Sequence, residues 1–173
     1  RSGRVLFLNR LHPEKCVHIA ISLAEQYDLE LDVIGTDSLL FCPEDYLRAM
    51  FRRFDGEKVR FWADPGYHMK LELLQSARCL IWPCLWPEPF GLGIVESMAV
   101  GTPVISFAWG APTEIIQEGG VLITHFDQFP EALKRIENNK PEDCRRNAEK
   151  FSSGNMAKMY LELFRKVVGG ERW

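Results

Sequence analysis

No pair of cysteines in the 173-residue sequence has C-x-x-C spacing, and the five present (Cys16, Cys42, Cys79, Cys84 and Cys144) are odd in number. This argues against both a zinc site and a disulfide framework, and it leaves buried or incidental thiols of a reducing cytoplasm as the expectation. His12, His18, His68 and His125 show no metal-ligand spacing, and no carboxylate cluster suits a divalent cation. No metal is therefore expected. No apolar run approaches membrane-spanning length, and Arg1-Ser2-Gly3-Arg4 leads straight into a short apolar segment without a signal peptide. A dense Lys/Arg run is also missing, and a net charge of -3 gives no reason to expect nucleic acid. No G-x-G-x-x-G follows the first apolar run, which weighs against a dinucleotide-dependent oxidoreductase. Repeats, low-complexity tracts and internal linkers are absent too.

What remains is ordinary for a globular protein, with 46% hydrophobic and 26% charged residues. The length suits one domain with a proper core. The abrupt start suggests a piece of a longer protein.

Strand and helix signals alternate along the chain. Val5 to Leu8, Leu31 to Ile34 ending at Gly35, and Val121 to Ile123 are short apolar runs, Val59 to Trp62 alternates, and Cys79 to Trp82 and Val104 to Phe107 are continuous. Between them lie helical patterns over Pro13 to Tyr27, Glu44 to Phe54, Met69 to Ala77, Ile94 to Val100 and Pro112 to Gln117. Three more follow: Asp127 to Asn138 with Asp127 as cap, Pro141 to Lys150, and Gly154 to Val168. Such alternation predicts an α/β fold, a Rossmann-like, doubly wound parallel sheet of about six strands with flanking helices. Continuous apolar strands fit a sheet covered on both faces, and ligands of such sheets gather at the carboxyl ends of the strands. The last helix carries Met156, Met159, Tyr160, Leu163, Phe164 and Val167 on one stripe, which reads first as core packing.

The stretch from Trp82 to Glu114 carries the chemistry. Pro87 and Pro89 hold Glu88 in an extended loop. Phe90-Gly91-Leu92-Gly93 then leads into a helix bearing Glu96, seven residues lying between the two glutamates. A helix N-terminus offers unpaired N–H groups and roughly half a positive charge, which favours a phosphate. Carboxylates accept hydrogen bonds from paired sugar hydroxyls. A ligand both anionic and rich in hydroxyls, such as a sugar nucleotide, satisfies both. The first strand leads into Arg10 and, after Pro13 as a first helical residue, Lys15 in the first turn of the next helix. A lysine there opposes the helix dipole unless it faces a bound anion, and Arg10 suits a phosphate with two parallel hydrogen bonds.

These residues together resemble a known family. Glu88-Pro89-Phe90-Gly91-Leu92-Gly93-Ile94-Val95-Glu96, followed by Ser97-Met98-Ala99 and Gly101-Thr102-Pro103-Val104-Ile105, resembles the E-x7-E signature of retaining glycosyltransferases with the GT-B fold. Specifically, the sequence is similar to the second, donor-binding domain of glycosyltransferase family four. Arg10 to Lys15 resembles that family's R-x4-K element, and Gly110-Ala111-Pro112-Thr113-Glu114 its G-G/A-x-x-E turn. The resemblance implies that Arg10 and Lys15 hold the diphosphate of a UDP- or GDP-sugar donor, and that Glu96 accepts from the ribose. It implies that Glu88 bonds a hydroxyl of the transferred sugar with help from the N–H groups of Phe90, Gly91 and Leu92. The base falls around Gly35 and Trp62. It also implies retained anomeric configuration, with Arg10, Lys15 and Glu88 as the catalytic group and Glu88 positioning rather than attacking. No cofactor or metal beyond the donor is implied.

By the same resemblance, the acceptor is held by the protein's own N-terminal domain, absent from these residues, with a membrane-lipid acceptor open through it. The isolated chain then binds donor with little transfer, and part of the last helix's stripe is exposed. Two positions depart from the pattern. Cys16 replaces the glycine usual after the lysine; inside a helix it need not harm phosphate binding but can crowd the backbone, and Gly35-Thr36-Asp37 lacks a second glycine near the base. Two other readings stay open: a non-catalytic nucleotide-sugar binding module, and a nucleotide-sugar epimerase of the same fold.

Overall fold

A computed structural model describes residues 3–36 and 42–170; Arg1, Ser2 and Asp37, which figure above, lie outside them. Six strands form one parallel sheet: β1 (Val5–Leu8), β2 (Leu31–Gly35), β3 (Val59–Ala63), β4 (Cys79–Trp82), β5 (Val104–Phe107) and β6 (Gly120–Ile123). Their order is β3-β2-β1-β4-β5-β6, with every neighbouring pair parallel. The winding direction reverses between β1 and β4, and at such a switch point a crevice opens beyond the strand ends.

The apolar strands are explained by two cores, one on each face. Because successive side chains of a strand point to opposite faces, each run is divided between them. Val5, Phe7, Leu31, Val33, Ile81, Ile105 and Val121 pack on one face against Val17, Ile21, Leu47, Phe129 and Leu133. Leu6, Ile34, Leu80, Trp82 and Val104 pack on the other against Leu74, Ile94, Met98, Ile115 and Cys144. The first face is covered by α1 (Val17–Gln26), α2 (Glu44–Phe51) and α6 (Phe129–Arg135). The second is covered by α3 (Gly66–Ser76), α4 (Leu92–Ala99), α5 (Pro112–Ile115) and α7 (Pro141–Glu149). At the amino edge of the sheet, buried Arg4 ties β2 down through Asp32 Oδ2 at 2.9 Å and Glu30 Oε2 at 2.7 Å.

The structure departs from the sequence expectations at three places. The helix expected over Pro13 to Tyr27 is two pieces: a 3-10 turn, Pro13–Lys15, and then α1. Cys16 separates them at φ 59°, ψ 38°, the left-handed region. Lys15 is therefore not in the first turn of an α-helix, and the dipole argument for it does not hold. Cys16 is likewise not inside a helix; it occupies the conformation in which a glycine is least strained, at a cost of about 1–2 kcal/mol for a residue with a Cβ. The helix expected from Asp127 opens as a 3-10 turn, Phe126–Gln128, whose N-cap is His125 rather than Asp127; the Gln128 side chain closes a capping box, its Oε1 accepting from the N–H groups of Thr124 and His125. Finally, the stripe on α8 (Ser153–Val168) is not core: no residue of this helix is buried, and Met156, Met159, Tyr160 and Phe164 are all more than half exposed. Periodicity marks an apolar face without saying what covers it.

Of the thiols, Cys16, Cys79, Cys84 and Cys144 are buried and Cys42 is half-buried, and none of the five is in a disulfide. Among the described residues no His/Cys/Asp/Glu group could hold a metal ion, and no helix is long and apolar enough to cross a membrane.

Candidate functional site

The crevice at the β1/β4 switch has two lobes that share Leu8, Asn9 and Arg10 as a common wall. The first, of about 410 Å³, is lined by Arg10, Lys15, Trp82, Glu88 to Gly93 and Glu96. The second, of about 380 Å³, is lined by Ile34, Gly35, Thr36, Asp64 to Tyr67 and Lys70. Each lobe falls within the roughly 300–1,000 Å³ typical of small-molecule sites.

Local chain geometry explains how the first lobe is built. β1 ends at Leu8 and the chain turns over the sheet edge, leaving Arg10 exposed. Among the described residues no hydrogen bond or ion pair engages the Arg10 guanidinium. The 3-10 turn then brings Lys15 back into the wall, where its side chain is only 8% exposed and Nζ lies 2.6 Å from Glu88 Oε2. A lysine so enclosed needs its carboxylate. Glu88 is held in turn by a parallel bridge to Gly110 and by the Ala111 N–H, which donates to the Glu88 carbonyl at 2.9 Å. The Gly110-Ala111 turn thus braces the Glu88 loop, while Glu114 further on is exposed.

α4 starts at the bottom of the same lobe. A Cβ on Gly93 would sit 2.8 Å from the Trp82 ring and 3.3 Å from the Leu8 carbonyl, so only glycine lets the helix press against the ends of β1 and β4. Gly91 caps α4 with no side chain, so the first N–H groups of the helix are left facing the lobe. One turn on, Glu96 Oε1 accepts from Lys70 Nζ of α3 at 2.8 Å. The buried indole N–H of Trp82 has no hydrogen-bond partner among the described residues.

The thiols nearby are not poised to react. Cys16 and Cys84 both donate to the Glu14 carbonyl at 3.3 Å, and Cys84 Sγ is 4.0 Å from Glu88 Oε2. Burial pushes both thiols above their ordinary range, whereas reactive cysteines sit where their thiolate is favoured.

Arg10, Lys15, Glu88 and Glu96, far apart in sequence, thus line one lobe, with Phe90, Gly91 and Leu92 beside them; Gly35 lines the other. Trp62 lines neither. Its indole donates to Asp32 Oδ1 at 3.0 Å and it packs against the second core. Sequence reasoning missed Lys70 and Asn9. Lys70 is 26 positions from Glu96 on a separate helix, and no local spacing connects the two.

An open parallel sheet with cations, carboxylates and a helix N-terminus at its switch point is a Rossmann-like ligand-binding domain of the kind found in GT-B glycosyltransferases. The sequence profile of the family described as glycosyl transferases group 1 matches residues 2–151, and the chain belongs to that family. It is 30% identical over 177 aligned residues to a probable sucrose-phosphate synthase of Thermosipho melanesiensis, covering 94% of this chain and 41% of that protein. AviGT4, a glycosyltransferase involved in avilamycin A biosynthesis, superposes with a TM-score of 0.82 at 24% identity, over 100% of this chain and 54% of that one. Anabaena Alr3699/HepE, solved in complex with UDP-glucose, superposes with a TM-score of 0.78 at 20% identity, over 96% and 49%. The chain therefore spans about half the length of the proteins it resembles.

Proposed function

We propose that this chain is the donor-binding part of a retaining glycosyltransferase: it binds a nucleotide-diphosphate sugar, whose sugar passes to an acceptor held by an N-terminal domain outside these residues. The observation that carries this reading is the convergence of Arg10, Lys15, Glu88, Glu96 and the α4 N-terminus on one lobe. Arg10 and the α4 N–H groups meet the diphosphate. Lys15 has ammonium hydrogens to spare beyond the one given to Glu88. Glu96 accepts from the ribose, Glu88 from the transferred sugar, and the base lies in the lobe with Gly35 and Thr36.

As the glycosidic bond to phosphate breaks, negative charge grows on the leaving diphosphate. Fixed cations and N–H groups then stabilise the transition state more than the ground state. No step in this reading uses a divalent ion, so chelation with EDTA leaves donor binding unchanged.

The test is calorimetric titration of the chain with uridine, guanosine and adenosine diphosphates. The Anabaena protein's UDP-glucose makes the uridine ligand the first choice. One diphosphate should bind; Arg10→Ala should weaken it at least tenfold and Glu96→Ala, which loses the bonds to the ribose hydroxyls, by about a hundredfold. Sugar transfer should be slight for this chain alone. Failure of all three diphosphates to bind, or robust transfer without a further domain, would overturn the reading.

A further inference from the structure

Lys70 lines the second lobe, yet its ammonium reaches Glu96 in the first, so the pair forms a ridge between the two compartments. Any ligand that fills both lobes crosses this ridge beside Arg10. The Glu96 carboxylate is 42% exposed and Lys70 only 25% exposed, so the lysine is the more fixed partner. Lys70 is also flanked by Tyr67, its Nζ lying 5.9 Å from that ring's centroid, which restricts it further.

Lys70 holds Oε1 of Glu96, which lines the first lobe, and that contact restricts the carboxylate's rotation while leaving Oε2 without a hydrogen bond among the described residues. A bare carboxylate at the same place would rotate freely and would repel a diphosphate lying between it and Glu88. Resting on the donor reading above, we propose that Lys70 is a positioning residue: it orients Glu96 toward the ribose hydroxyls and offsets that carboxylate's charge. The ability of the site to distinguish ribose from deoxyribose therefore depends on a side chain that need not touch the sugar.

The experiment measures binding of the tightest of the three nucleoside diphosphates and of its 2′-deoxy and 3′-deoxy counterparts, to the wild-type chain and to Lys70→Met and Lys70→Arg. In the wild type, removing a hydroxyl that Glu96 receives should weaken binding about tenfold, the scale of one charge-assisted hydrogen bond. Lys70→Met should weaken the ribose ligand by about tenfold and shrink the deoxy penalty to within about threefold. Lys70→Arg should restore most of both. Thermal melting of each variant checks the fold, and Lys70 lies on a helix surface where methionine is a good helix former. Lys70→Met that binds as wild type does, or that weakens ribose and deoxyribose ligands equally, overturns the inference while leaving the donor reading intact. A wild type that binds no diphosphate, or shows no deoxy penalty, fails the donor reading itself and the inference with it.

Discussion

The pair formed by Lys15 and Glu88 should behave unequally when broken from one side or removed whole. At a separation of 2.6 Å the attraction is about 6 kcal/mol with an effective dielectric of roughly 20. Against it stands the loss of hydration of two side chains that are only 8% and 14% exposed, a penalty of several kcal/mol per ion. The two nearly cancel, so the intact pair adds little net stability. Removing one partner leaves the other desolvated and unmatched, which typically costs about 3–5 kcal/mol. Glu88 lines an open lobe where water can reach it, so Lys15→Met should fall near the lower end, about 3 kcal/mol. For a chain of this size that lowers the melting midpoint by about 6–12 °C. Glu88→Leu should cost at least as much, because Lys15 is the more enclosed of the two. The double variant should return to within about 1 kcal/mol of wild type, since a matched apolar pair replaces a matched ionic one. Urea unfolding followed by tryptophan fluorescence measures all four corners of the cycle. Two single variants each within about 1 kcal/mol of wild type, or a double variant as unstable as their sum, would show that the pair is hydrated and uncoupled. The double variant should fold yet bind no donor, separating stability from function.

Two further perturbations test the supports of the site. Gly110→Ala places a Cβ 2.8 Å from the backbone N and O of Glu88 at φ +72°, whereas Gly56→Ala, at φ +77°, meets nothing within 4 Å. Both should bear the left-handed penalty of about 1–2 kcal/mol, but only Gly110→Ala should lose more and also weaken donor binding; equal melting shifts for the two would refute the bracing role of the Gly110 turn. His18 titrates below its ordinary value because of burial first and the Arg53 charge second, and its Nδ1 lies 2.9 Å from the Tyr46 hydroxyl. Burial pushes that phenol up to about 12, so it stays protonated throughout the range concerned. A depressed histidine contributes stability above its unfolded value of about 6.5, and the contribution fades as pH falls through that value toward the folded one. Between pH 7 and pH 5 the wild type should therefore lose more stability than His18→Gln; parallel profiles would refute the assignment.

How much of this was legible depended on whether the signal was local. The strands were readable because each is a short apolar run, and the alternation with helical patterns led to the parallel sheet. In the inner strands the side chains alternate between two buried faces, whereas the edge strand β3 leaves Arg60 exposed and reads as an alternating pattern instead. Glu88 and Glu96 were readable because prolines and glycines set their loop within nine residues. Cys16 was misplaced because composition alone does not mark a left-handed residue when the expected glycine is missing; the break shows only in the backbone. The spacing of the α8 stripe marked only an apolar face, because burial depends on what lies across from it; that part of it is exposed followed from the family resemblance alone. Lys70 and the placement of Trp62 depended on contacts between separate elements, Lys70 with Glu96 and Trp62 with Asp32, which no periodicity encodes.

The pairing of charges also accounts for how a lobe with two carboxylates can suit an anion at all. Each carboxylate is matched by its own lysine, Glu88 by Lys15 and Glu96 by Lys70. Neither pair repels a phosphate strongly, because each is close to neutral at the distance of a bound ligand. That leaves Arg10 and the first N–H groups of α4 as the unmatched positive features, and both face the same space. Each glutamate meanwhile keeps one oxygen without a hydrogen bond or ion pair among the described residues, an acceptor available to a hydroxyl. The lobe thus offers acceptors and cations side by side without either cancelling the other. A purely anionic ligand would leave the carboxylate oxygens unused, and a neutral sugar would leave Arg10 unused; only a ligand carrying both groups engages the whole set.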